Sequence, residues 1–101
     1  MKFEMITPVQ LECYVGNPDA LIIDLRNPAE YRERHIRGAI NIPYEKLQSC
    51  CMFPMDMYLI LYCERGSSSM SAAKELADRG YLVKTVVGGF HAYRGKMTET
   101  Y

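Results

Sequence analysis

The sequence predicts an α/β fold, a mostly parallel sheet with helices on both faces. Three observations carry this expectation. Two runs of strand length, LIIDL at 21–25 and YLILY at 58–62, are apolar almost throughout, the pattern of strands buried on both faces. Segments with helix-start and helix-stop residues alternate with the strand-like runs along nearly the whole chain. The chain has 101 residues of which 49% are apolar, enough for one core; a chain of this size buries roughly two thirds of its unfolded surface.

Taken in order, residues 3–6 form a first strand. Thr7-Pro8 supplies an N-cap with proline at the first helical position, and the helix it opens runs to Gly16, a natural stop. Asn17-Pro18-Asp19 is turn chemistry, and strand 21–25 follows. Asn27-Pro28 repeats the cap-plus-proline start of a short polar helix ending at Arg34. Gly38 punctuates before a strand at 39–42, closed by Pro43, a brief helix at 44–48, and a loop at 52–56 broken by Pro54. After strand 58–62 a polar loop, 63–68, leads into a helix from Ser69, with Met70, Ala73, Leu76 and Ala77 on one face and a stop at Arg79-Gly80. The last strand is 81–87; Gly88-Gly89 turns the chain into a short helical turn at 90–93. No repeat, linker or low-complexity stretch interrupts this order, so residues 1–101 read as one domain.

Charge and cysteine usage exclude several function classes. Lys plus Arg number 12 and Asp plus Glu number 12, so there is no basic excess for a nucleic-acid backbone and no acidic tail. The longest apolar run, 57–63, falls far short of the ~18 residues of a membrane span, so no membrane partner is expected. The first residues carry an early acid and no signal-like apolar stretch, which makes the cytoplasm the expected compartment. Of the cysteines at 13, 50, 51 and 63, Cys50 and Cys51 are adjacent, a spacing that seldom bridges. The two histidines, His35 and His91, complete no metal-binding spacing, so neither a metal nor a cofactor is expected.

Chemistry concentrates at Cys63, which ends a buried strand just before a helix. Glu64, Arg65, Gly66, Ser67, Ser68 and Ser69 follow it without a proline, so each keeps its backbone N–H. Gly66 allows the chain to turn through conformations closed to other residues. If the loop curls, several donors converge near the sulfur and form an anion-binding nest at the positive end of the helix. That field favours thiolate over thiol, with Arg65 helping and Glu64 opposing. A lone cysteine after a strand also fits a small buried hydrophobe; the polar, glycine-containing loop gives the reactive reading equal standing.

The motifs around this loop resemble those of rhodanese-like domains. Asp24-Leu25-Arg26 with Glu30-Tyr31, then His35-Ile36-Arg37-Gly38-Ala39-Ile40-Asn41-Ile42-Pro43, looks like the family's first signature. Tyr62 to Ser69 resembles its active-site loop, C-x-x-G-x-[RS]; Gly88-Gly89-Phe90-His91-Ala92-Tyr93 resembles its closing G-G-F-x-A-W, with tyrosine for tryptophan. The resemblance implies a five-stranded, mostly parallel sheet and a sulfurtransferase. Cys63 would take a sulfane sulfur from a small donor, such as thiosulfate or a persulfide, and hold it as a persulfide. A thiol, cyanide-like or protein acceptor would then remove it. Two departures stand out: Arg34 where many members have glycine, and Ser68 where many have arginine, which predicts weaker thiosulfate use.

The remaining candidates read as structural. Asp24 ties down neighbouring backbone, and Arg26 and Glu30, four apart, are expected to pair. His35 shapes a loop, and His91 is a partly exposed helical residue. Cys50 and Cys51 offer a resolving thiol, but packing beside Phe53 is the plainer reading. Two alternatives to turnover as a sulfurtransferase remain: a non-catalytic or redox-sensing module, and a cysteine phosphatase. The phosphatase pattern asks for an arginine six positions after the cysteine, where this chain has Ser69. Sequence alone leaves the oligomeric state open.

Overall fold

Five parallel strands build the sheet of the computed structural model, which describes residues 2–49 and 53–100. They are β1 (Glu4–Ile6), β2 (Ala20–Asp24), β4 (Ile40–Asn41), β5 (Tyr58–Tyr62) and β6 (Leu82–Val86), in spatial order β1-β6-β5-β2-β4. The predicted parallel α/β architecture is therefore the one observed. In the central pair, Ala20 through Asp24 lie opposite Tyr58 through Tyr62. Both strands are flanked by neighbours, which is why their sequences are apolar nearly throughout.

Helices start where the caps predict. Thr7 and Asn27 each close a capping box, their side chains accepting from the N–H of Gln10 and Glu30 while those side chains return to the cap N–H. The helices they open are α1 (Pro8–Leu11) and α2 (Pro28–Glu33). Glu30 is thereby committed to Asn27, so the expected Arg26–Glu30 pair does not form. The α1 helix is shorter than predicted and tightens into a 3-10 turn, Glu12–Tyr14, before Gly16.

The third helix, α3 (Ser67–Asp78), starts two residues before the expected Ser69, so Ser67 and Ser68 are helical rather than loop. Its buried face is Ser69, Ala72, Ala73, Leu76 and Ala77, at helical spacing. Met70, predicted on that face, lies on the exposed flank. Small residues let α3 sit close on β5 and β6, where it shares a core with Ile23, Leu59, Leu61, Val83 and Cys63. The 3-10 turn Tyr44–Ser49 adds Leu47 to that core. The opposite face packs Ile22, Ile60, Tyr62 and Val86 against Leu11 and Tyr93. Cys50, Cys51 and Met52 lie outside the described residues, and with them the resolving-thiol question. Among the described residues no helix is long and apolar enough to cross a membrane.

Two strands escaped sequence reading. β3 (His35–Ile36) and β7 (Thr98–Glu99) form a separate antiparallel pair. His35 is fully buried, stacks on Tyr31 at 3.7 Å, and sets Nδ1 2.6 Å from the Tyr31 carbonyl, in keeping with its structural reading. The Gly38 N–H donates to Glu99, and this bond, helped by His35, holds the Glu99 carboxyl below its ordinary value. A depressed carboxylate contributes stability above its unfolded pKa and loses it as pH falls through the folded one. Acidification is therefore expected to loosen β7 first. The check is amide hydrogen exchange at Arg37, whose N–H donates to the Met97 carbonyl: its protection should drop on acidification before that of β5.

Candidate active site

The chain leaves β5 at Tyr62 and must reverse at once to lay α3 back over the sheet. Gly66 makes that reversal at φ +102°, in the left-handed region, and occupies the N-cap position of α3. A helix start leaves backbone N–H groups without partners, usually met by a serine, threonine or aspartate side chain at the cap. Gly66 has none to offer. Here the Cys63 Sγ takes that place, accepting from the Ser69 N–H at 3.4 Å and from the Gly66 N–H at 3.0 Å. The sulfur thus caps the helix, and the helix presents its positive end to the sulfur. Cys63 is 6% exposed.

Side chains around the loop sort onto its two sides. Ser69 is fully buried; its hydroxyl donates to the Gly66 carbonyl at 3.1 Å and accepts from Thr85 at 3.0 Å, tying the first turn of α3 to β6. Ser67 and Arg65 are exposed, and Ser68 is half-buried. Arg65 faces a cleft beside Met5 and Met70 rather than a partner across the loop. Glu64, expected to oppose a negative sulfur, is drawn off instead: its carboxylate lies 3.4 Å from Arg26 Nη1 and 4.0 Å from His91 Nδ1.

Arg26 is the hub that sequence reading underrated. It is buried, with Nη2 2.9 Å from Asp24 and Nε 3.2 Å from both carboxylate oxygens. Its guanidinium lies 4.2 Å from the centroid of Phe90 and also donates to the Arg34 carbonyl. Burial opposes this charge, but the hydrogen bonds and charge of Asp24, with Tyr62 and Glu64, outweigh it, so the guanidinium is held more firmly protonated. Burial first, then the charge of Asp24, push the neighbouring Tyr62 phenol far above its usual value, so it stays neutral, and its oxygen accepts from the Ile36 N–H at 3.0 Å. Asp24 ties down the Arg26 N–H at 2.8 Å, as predicted for it.

The other missed contributors are backbone. Phe90 N–H donates to the Cys63 carbonyl at 2.8 Å, and His91 N–H to the Glu64 carbonyl at 2.9 Å. These bonds require Gly89 to lie flat against the loop. It sits at φ +63°, and a Cβ there would fall 2.7 Å from the Glu64 carbonyl oxygen and closer still to that of Cys63. Gly89→Ala is therefore expected to lower stability by about 3 kcal/mol or more, through strain and backbone overlap together. It should also slow alkylation chemistry at Cys63 relative to the native protein. A urea-unfolding midpoint and an iodoacetamide time course check both. The sequence signal was present in the Gly88-Gly89 pair, which reads as a turn and as part of the closing motif without naming the cysteine loop as its partner.

At the far end of this segment Tyr93 stands in the tryptophan position of the closing motif. Its hydroxyl donates to Glu12 at 2.6 Å and accepts from the Met97 N–H at 2.9 Å. Burial and the Glu12 hydrogen bond push its phenol above the ordinary value. The substitution is thus absorbed by a partner on the α1 side of the sheet.

Comparison with known proteins bears on what this loop belongs to. The thiosulfate sulfurtransferase GlpE of Ectopseudomonas mendocina is 33% identical over 95 residues, 92% of this chain and 86% of that protein. A tRNA sulfurtransferase of Desulfurococcus amylolyticus is 32% identical over 82 residues, 81% of this chain but 16% of that much longer protein. Among solved structures, reduced Bacillus anthracis CoADR-RHD aligns with a TM-score of 0.83 at 32% identity, over 91% of this chain and 16% of that one. The sequence profile described as rhodanese-like domain matches residues 7–96, a span that takes in the Cys63 loop and the Gly88-Gly89 turn that braces it, and the chain belongs to that family.

Proposed function

We propose that the chain is a sulfurtransferase that carries one sulfane sulfur as a persulfide on Cys63. The observation that supports this best is the pair of backbone N–H groups aimed at Sγ from Gly66 and Ser69. In the first half-reaction the Cys63 thiolate attacks the outer sulfur of the donor. The donor's S–S bond breaks, and its remainder (sulfite, from thiosulfate) leaves with the electron pair. In the second, an acceptor thiolate attacks the outer persulfide sulfur, and Sγ departs as thiolate into the same two N–H groups. Fixed donors at a developing negative charge need no reorganisation during the reaction. Neither half-reaction requires a metal, a cofactor or a general base once the thiol is ionised. GlpE is named a thiosulfate sulfurtransferase, and the shared family supports the same class of chemistry here.

A phosphatase reading fares worse on the same loop. Gripping the equatorial oxygens of a phosphoryl group calls for an arginine fork. The sixth position after Cys63 is Ser69, whose hydroxyl is already committed to Gly66 and Thr85.

Intact-mass measurement after exposure to thiosulfate or a small persulfide, then to cyanide or a thiol, tests the reading. The expected result is gain of one sulfur, its removal by acceptor, and repeated turnover. The persulfide donor should load faster than thiosulfate, since Ser68 brings no positive charge. Loading once without turnover would favour a sensing module. Aryl phosphate hydrolysis with no loading by any donor would reverse the assignment.

A further inference from the structure

One helix cannot cover the α3 side of five strands. α3 lies on β5 and β6 and stops short of the edge strand β1. The uncovered strip is a cleft of about 400 Å³ lined by Met5, Val87, Met70, Ser71, Arg65 and Gly66, among others. Its apolar residues are unusually open to water: Met5 is 42% exposed, Met70 36% and Val87 45%. Clustered exposed apolar groups of this kind mark interaction surfaces, and methionine adapts to varied partners. Gly66 lines the cleft, and its N–H donates to the Cys63 sulfur.

Charge narrows the occupant. Arg65 lines the cleft, and Lys74, one turn beyond Met70 and Ser71, extends the same exposed helix flank. Among the described residues no carboxylate lines the cleft, and Glu75 pairs with Arg79, Asp78 with Lys2, Glu4 with Lys84 and Glu64 with Arg26. We infer that this cleft docks an extended segment of a partner protein that alternates acidic and apolar residues, and that this segment delivers a thiol to the Cys63 persulfide. The delivery half of this inference rests on the sulfurtransferase reading above; the docking half does not.

The test uses two short synthetic peptides, each ending in a single cysteine. One alternates glutamate with leucine and the other lysine with leucine. With Cys63 loaded, sulfur should pass to the glutamate peptide at least about tenfold faster than to the lysine peptide. Lys74→Glu and Met70→Asp should each erode that preference while leaving discharge to 2-mercaptoethanol at the native rate. Lys74 is exposed, so its variant folds even if Met70→Asp does not. Equal peptide rates in the native protein, or a preference that survives Lys74→Glu, would overturn the inference. So would self-association of the native protein that Met70→Asp abolishes, because the cleft would then belong to a second copy. If no donor loads Cys63, the sulfurtransferase reading fails, and fluorescence anisotropy of the labelled glutamate peptide decides the docking half alone. Binding weakened by Lys74→Glu sustains docking, and absence of binding ends it.

Discussion

Replacing Cys63 with serine is expected to abolish sulfur loading completely. A hydroxyl is not appreciably ionised at neutral pH and forms no stable bond to a sulfane sulfur, so nothing in the loop substitutes for the thiolate. The fold should survive: serine fits the site and can still accept from Gly66 and Ser69, the two donors that meet Sγ in the native protein. Intact mass after donor treatment, beside an unfolding curve, separates the chemical loss from a structural one. Cys13 is exposed on the 3-10 turn that follows α1, outside the Cys63 loop, and Cys13→Ser should load normally. A Cys63→Ser protein that accepted and passed on sulfur would remove the basis for the whole functional reading.

The largest effect on stability is expected at Arg26. Arg26→Met keeps the approximate length of the side chain and its contact with Phe90 but strips the counter-charge from Asp24, which is fully buried. Breaking a buried pair from one side costs about 3–5 kcal/mol, because the remaining charge stays desolvated and unpaired. That is a large share of the stability of a domain this size. The double variant Asp24→Asn, Arg26→Met should recover part of the loss, since no lone charge then remains. Urea midpoints of the two single variants, the double and the native protein complete the cycle. A loss below about 1 kcal/mol in Arg26→Met would mean that water reaches Asp24 after all. Releasing Glu64 from Arg26 also returns a negative charge to the neighbourhood of Cys63, so donor loading should slow in the fraction that stays folded.

Much of this architecture is written in short-range signals. The caps at Thr7 and Asn27 formed as read because a capping box is closed by residues three apart. The runs of β2 and β5 were legible because both strands are central, and burial on two faces leaves a continuous apolar signature. Part of what stayed hidden depends on residues far apart in the chain, and part on side-chain contacts that no propensity rule includes. β3 and β7 are two residues each and pair across the length of the molecule, too short to carry periodicity. The true start of α3 was obscured because its capping acceptor is the Cys63 sulfur, which no local propensity includes. Arg26 was given a partner four residues on, whereas its partners are two residues back and on the cysteine loop. At the site, the cysteine, its glycine and its serines could be picked out, but the donors from Phe90 and His91 could not.

Those two donors set when the loop around Cys63 is completed during synthesis. Cys63 and the loop that shapes it are translated well before Phe90 and His91, whose N–H groups clamp the carbonyls of Cys63 and Glu64. The β1 strand, made first, likewise waits for β6, since Glu4 pairs opposite Lys84. A nascent chain halted anywhere before residue 91 therefore carries Cys63 without its full clamp. On the sulfurtransferase proposal, such a truncated chain is expected to load sulfur poorly until the segment carrying Phe90 and His91 is added. The loop around Cys63 thus reaches its final hydrogen bonding only when the sheet from β1 to β6 has closed.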